Sequence, residues 1–195
     1  MNPVFSHTTF TTRRNFFFFL HQWFRIFDPG GEIVFYSKMR AFKLKEDFRV
    51  LGADKQTEVL RVQARNILDI AATYDVIDPG SETRIGSFRR KGLKSIFKDE
   101  WIIFDAAESE VGLIQEESGA LAFLRRYFGS ITDLFAPQQH VGRIGGNPVL
   151  VFRQSRNPFL AKTYLDFGMD ADGLLDRRMG IAASILFCAI EGKQG

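Results

Sequence analysis

The chain has 195 residues, of which 45% are hydrophobic and 25% charged, with a formal net charge of +3 at pH 7. That is enough to bury one substantial core and too little to argue for two well-formed domains. A single cysteine, Cys188, excludes a disulfide framework and a thiolate metal cluster, and 21 phenylalanines favour pleated, half-buried strands.

Met1 to Thr12 is polar and has no charged segment followed by an apolar core, so no secretory signal is expected and residues 1–15 read as a flexible arm. The apolar run Phe16 to Leu20, preceded by Arg13-Arg14, is far below the ~18 residues of a membrane span and reads as a buried strand. Next comes a hairpin: Phe24 to Phe27, turn chemistry at Asp28-Pro29-Gly30-Gly31, and a return from Glu32 to about Lys38. The start of the return recurs every 26 residues, at Glu32, Glu58, Arg84 and Glu110. Between the first and third units, Leu60, Val62 and Ala64 alternate with Arg61, Gln63 and Arg65, the signature of a strand with one wet face. The third unit repeats the first, with Tyr74 to Ile77, Asp78-Pro79-Gly80, and a return from Arg84 to Arg90. The linkers Phe42 to Phe48 and Ile96 to Trp101 also share one order: apolar, basic, acidic pair, aromatic. The fourth unit runs from Trp101 to Phe104, turns at Ala106 to Ser109 and returns from Val111 to Gln115.

Leu121, Leu124, Phe128, Ile131 and Phe135 follow at the spacing of an amphipathic surface helix, with Ser118 as N-cap. A fifth hairpin turns at Gly145-Gly146-Asn147 and returns through Val149 to Phe152, and one further period falls at Leu174-Leu175. Last, Asp176 can cap a helix whose segment Met179 to Ile190 is apolar on every side, with Gly192 placed to stop it. Such a helix belongs inside a core. The expected fold is therefore mainly β: a closed barrel of about twelve antiparallel strands, six hairpin units, wrapped around a C-terminal helix at about 177–191. The barrel domain would span 16–195, with Ile181, Ile185, Leu186, Cys188 and Ala189 buried.

The charge blocks carry what chemistry there is. Arg84, Arg89, Arg90, Lys91, Lys94 and Lys98 form a run without an acid, and Gly92 would let backbone approach a ligand, so this block is the candidate lipid-binding site for an anionic headgroup. Against that stands the run Asp99 to Glu117, which carries seven acids and no base, so that adjacent hairpins of opposite sign would neutralise each other. Arg143, Arg153, Arg156 and Lys162 form a second acid-free stretch that could extend a positive surface. Nucleic acid is disfavoured, because no recognition helix or aromatic RNA-binding motif accompanies the bases.

Asp166, Asp170, Asp172 and Asp176 resemble a calcium loop, but the alignment puts Gly168 first and Met179 at the bidentate position, so a solvated turn with a helix N-cap accounts for them better. His7, His21 and His140 lack ligand-like spacing, and Cys188 has no nearby base, so neither a metal, a cofactor nor an enzymatic site is expected. Gly142-Arg143-Ile144-Gly145-Gly146 lacks the context of a phosphate loop. Trp23 and Trp101 read as core or girdle positions.

The stretches Phe24 to Gly31, Lys38 to Phe48, Tyr74 to Gly80 and Arg89 to Ser95, together with Asp176-Arg177-Arg178 before the apolar helix, resemble the LURP-one-related family. The resemblance covers roughly residues 16–192. That family belongs to the tubby C-terminal-like superfamily, together with the phospholipid scramblases, and the resemblance implies a twelve-stranded barrel around a central helix. It further implies a non-enzymatic intracellular protein, cytoplasmic or peripheral at a membrane, with anionic phospholipid or phosphoinositide as partner. The alternative is a scaffold that binds a protein partner and no lipid. The sequence has neither the proline-rich region nor the cysteine-rich palmitoylation segment of scramblases, which sets scramblase-like lipid transfer behind both.

Overall fold

In the computed structural model, which describes residues 3–15, 21–40, 47–65, 72–91, 100–116, 139–154 and 162–191, the chain forms one closed barrel of twelve antiparallel strands. After a 3-10 turn at Pro3–Ser6, the strands are β1 (Thr9–Asn15), β2 (His21–Phe27), β3 (Ile33–Arg40), β4 (Asp47–Gly52), β5 (Glu58–Ala64), β6 (Thr73–Asp78), β7 (Thr83–Arg90), β8 (Glu100–Phe104), β9 (Glu110–Glu116), β10 (Gln139–Ile144), β11 (Asn147–Gln154) and β12 (Lys162–Asp166). A single helix follows, α1 (Arg177–Glu191). Each strand pairs with its neighbours in sequence, and β1 pairs with β12 to close the wall.

The 26-residue period is a period of aspartate-headed turns. Asp28 accepts the N–H of Glu32 at 2.9 Å, Asp54 those of Gln56 and Thr57 at 3.0 Å, Asp78 that of Gly80 at 2.9 Å, and Asp105 that of Ser109 at 2.9 Å. A carboxylate that satisfies backbone donors two to four residues ahead makes the reversal local. The fifth turn dispenses with it: Gly145 and Gly146, at φ 56° and 86°, give the doubly left-handed geometry that glycine tolerates and that matches strand twist.

Two expectations for the ends of the repeat are corrected. Residues 1–15 do not form a free arm, because Thr9–Asn15 is β1, paired from Thr9↔Asp166 to Arg13↔Lys162. The sixth unit has no return strand at Leu174-Leu175. After β12 the chain bends through Asp166 to Asp176 into α1, and β1 occupies the place of the missing return. Phe10, Thr12 and Arg14 are buried along β1, whereas of the expected return Leu174 is exposed and Leu175 is buried outside any strand. The strand reading of Phe16 to Leu20, the helix from Ser118 to Phe135 and the glycine stop at Gly192 lie outside the described residues.

The helix fills the barrel. Ile181, Ala182, Ile185 and Ser184 are wholly buried, and Leu186, Phe187, Cys188 and Ala189 nearly so. Asp176 caps its start by accepting the Arg178 N–H at 2.9 Å. Gly180 sits where a Cβ would lie 2.3 Å from the Phe167 ring, so helix and wall approach as closely as a bare backbone allows. The helix packs most heavily against β12 and β1. There it also makes its polar contacts, the Thr12 and Ser184 hydroxyls lying 2.8 Å apart and the Thr163 hydroxyl 2.9 Å from the Cys188 thiol. Beside them Arg14 is buried and donates to the Cys188 carbonyl at 3.4 Å, and burial lowers its guanidinium pKa.

Candidate functional site

Three of the block's six residues, Arg84, Arg89 and Arg90, lie on β7 and Lys91 follows it, and the structure surrounds these described members with partners. Arg84 pairs with Glu108 and donates to the Ala106 carbonyl at 2.7 Å. Lys91 donates to Glu100 at 2.9 Å, and the Arg89 guanidinium lies 4.6 Å from the centre of the Phe104 ring. Arg90 engages in contacts of its own, and Lys94 and Lys98 lie outside the described residues. Arg84 and Lys91 thus meet the acids of residues 99–117 across the β7–β8–β9 wall, the neutralising arrangement weighed against ligand binding.

This pairing continues around the barrel. On the outer face of β4 to β7, Glu58 takes Arg61 at 2.7 Å and Arg49 at 3.4 Å, Glu82 takes Arg61 at 3.1 Å, and Asp75 takes Arg65 at 2.7 Å. Hydrogen bonding to Glu58 and Asp75 raises the pKa of Arg61 and Arg65, against the opposing effect of burial. The hydrogen bond from Arg84, followed by the charges of Arg65 and Arg84, lowers that of Glu108. Glu82 and Glu108 hold these contacts from left-handed backbone, φ 52° and 66°, which a non-glycine residue adopts at a cost.

The adjoining face is built differently. Alternation along β12, β1, β2 and β3 turns Thr163, Thr12, Arg14, Phe24, Ile26 and Phe35 inward. Their neighbours Lys162, Arg13, Arg25 and Lys38 therefore face out. Register then aligns three cations in one row: Lys162 opposite Arg13, and Arg13 opposite Arg25. Like charges directly opposite each other on adjacent strands are destabilising. Among the described residues none of Lys162, Arg13, Arg25 or Lys38 has a carboxylate within ion-pair distance. Their neighbours are aromatic. Arg13 lies 4.5 Å from the Phe27 ring centre, Lys38 5.2 Å from Trp23 and Lys162 4.1 Å from Tyr164. Trp23 and Tyr164 are among the few large aromatic side chains left exposed, at 36% and 43%; Trp101, in contrast, is in the core.

Of this surface, sequence reasoning found Lys162 and Arg153, as part of the second acid-free stretch, and missed Arg13, Arg25 and Lys38. Period-2 alternation on the first hairpin would have placed Arg25 and Lys38 outward, but the row through Arg13 to Lys162 exists only when β1 meets β12.

The aspartates before α1 have structural employment. Asp166 accepts the Gly168 N–H at 2.7 Å, Asp170 that of Leu174 at 2.8 Å and Arg177 at 3.0 Å, and Asp176 binds Arg178, which also reaches Asp78 at 2.7 Å. Among the described residues no group of three or more His, Cys, Asp or Glu is placed to hold a metal ion. Among the described residues no helix is long and apolar enough to cross a membrane.

Residues 33–133 match the family model described as LURP-one-related. No curated protein matches the chain.

Proposed function

We propose that this chain, which belongs to the LURP-one-related family, acts by reversible, non-enzymatic docking on anionic phospholipid, and that it docks through the outer face of β12, β1, β2 and β3. The row Lys162–Arg13–Arg25 carries the reading. It concentrates positive charge that the fold leaves uncompensated, at a cost to its own stability that an anionic surface would remove. Each base near such a surface contributes ~1 kcal/mol, so three give ~3 kcal/mol, more than a hundredfold in affinity. Trp23 and Tyr164 add amphipathic rings suited to the headgroup level. The face offers charge and aromatic surface, a combination suited to binding. The block from Arg84 to Lys91 contributes less, because Arg84 and Lys91 are already paired. Location inside the cell, at or near a membrane, is part of the same proposal.

Liposome co-sedimentation tests it. The triple variant Arg13→Glu, Arg25→Glu, Lys162→Glu should lose binding to phosphatidylglycerol-containing vesicles, while Arg89→Glu with Lys91→Glu keeps most of it. Binding by the unmutated chain should also fade toward 1 M salt, where the Debye length falls to ~3 Å. Equal sedimentation with anionic and pure phosphatidylcholine vesicles would overturn the proposal and leave a protein-binding scaffold.

A further inference from the structure

A groove of ≈ 700 Å³ opens on this same face, lined by β11, β12, β1 and the β2–β3 turn, a volume in the range of small-molecule sites. Its charges are divided between two ends. At one end stand Lys162 and, on β11 opposite Tyr164, Arg153, with Arg13 facing Lys162 from β1 beside the lining. Toward the other stand Asp166, paired with Thr9, and Asp28, which follows the strand position of Phe27. Each carboxylate spends one oxygen on its turn, Asp166 on the Gly168 N–H at 2.7 Å and Asp28 on the Glu32 N–H at 2.9 Å. Among the described residues the second oxygen of each takes no hydrogen bond, and neither forms an ion pair with the groove's cations.

The cations lean toward the acids without reaching them. Lys162 reaches along its own strand to the hydroxyl and ring of Tyr164, and Arg13 lies diagonally over Phe27. Both positive groups therefore lie near the row of Tyr164, Thr11 and Phe27, two strand residues from the row of Asp166 and Thr9. Two residues of strand are about 6.6 Å. Across that separation no ion pair forms among the described residues, and a phosphorylated amino alcohol, whose phosphorus and nitrogen lie closer together than this, would reach both ends through its phosphate oxygens and ammonium hydrogens.

We propose that this groove binds a phosphate monoester or diester carrying a primary ammonium, with phosphate against Lys162 and Arg13 and ammonium between Asp28 and Asp166. A phosphate alone would leave both carboxylates unpaired, and a phosphorylated polyol would meet them with hydroxyls where a charge fits. Tyr164 and Thr11 supply hydroxyls between the two ends. The chemistry is shared by a free metabolite of the phosphoethanolamine type and by the headgroup of an amino phospholipid. The second source rests on the membrane reading above, and the first does not.

Calorimetric titration of the full chain with O-phosphoethanolamine, glycerol 3-phosphate and O-phosphocholine tests the groove. O-phosphoethanolamine should bind about tenfold more tightly than either of the others, since charge-assisted hydrogen bonds to the carboxylates are available only to it. Asp166→Asn retains an acceptor for Gly168 and should erase that preference, as should Asp28→Asn, while Lys162→Ala should weaken all the phosphates alike. Equal affinities in the unmutated chain, no binding, or a preference that survives both asparagine variants would overturn the inference. Vesicles separate the sources. Binding to phosphatidylethanolamine vesicles lost in Asp166→Asn assigns the headgroup. Soluble binding without vesicle binding keeps the groove and removes the membrane. Sedimentation with phosphatidylglycerol vesicles and no response to O-phosphoethanolamine does the reverse.

Discussion

Two pairs of arginines stand directly opposite one another on adjacent strands of this barrel, Arg49 with Arg61 on β4 and β5 and Arg13 with Arg25 on β1 and β2. The first pair is bridged by Glu58, which contacts both, and Glu82 and Asp47 complete the neutralisation. Among the described residues the second pair has no acid within ion-pair distance, only the ring of Phe27 beneath Arg13 and a third cation, Lys162, on the far side. Identical local repulsion is thus cancelled in one wall and maintained in the other. A fold that needed both only for stability would treat them alike, so the uncancelled row marks the surface where a negative partner is expected.

The largest effect removes the frame that both faces share. Ile185→Asp places an unpaired carboxylate at a wholly buried position of α1, at a cost of several kcal/mol comparable with the stability of a domain. No cooperatively melting soluble protein should be recovered. Next, Arg65→Glu on the paired face sets a carboxylate against Asp75 and Glu108, and should lower stability in denaturant by about 1–2 kcal/mol after allowance for solvent screening. The reciprocal change on the other face should have the opposite sign: Arg25→Glu gives Arg13 a partner and should raise stability by about 0.2–1 kcal/mol while vesicle binding falls. A loss of stability there would show that the row is already satisfied and would end the contrast.

Acid sharpens the comparison with the smallest effect. The Gly80 N–H, followed by Arg178, holds the Asp78 carboxyl below its ordinary range, and Arg84 with Arg65 does so for Glu108. Groups whose folded pKa is depressed stabilise the fold above their unfolded value, about 4, and that contribution disappears as pH falls through the folded value. Melting temperature should therefore decline below about pH 4, less steeply in Asp78→Asn.

The hairpins and the central helix were legible because both are written in local pattern: turn residues such as Asp28-Pro29-Gly30 and Asp78-Pro79-Gly80 end the strands, and twelve consecutive uncharged, mostly apolar positions leave a helix no wet side. β1 was not. Its inward positions are Phe10, Thr12 and Arg14, and two polar residues of three hide the alternation that identifies a strand. The exact partners of the candidate site were hidden for a related reason. A run of bases in sequence says nothing about what stands across the sheet, and Glu108, 24 residues from Arg84, is its neighbour in space. Arg13 and Lys162 are remote in sequence and adjacent in the wall.

That closure between the first and last strands also sets a clock. Thr9 has to wait for Asp166, and at 5–20 residues per second of synthesis the interval is roughly ten to thirty seconds. α1 follows β12 and is fastened to it and to β1 by Ser184 and Cys188. The helix must therefore enter a wall still open at this seam, and its entry and the sealing of the seam become one event. Until then β1 and β12 each present an unpaired edge, the form of a sheet most exposed to joining a neighbouring chain. A nascent or truncated chain lacking α1 is accordingly the species a chaperone would have to shield.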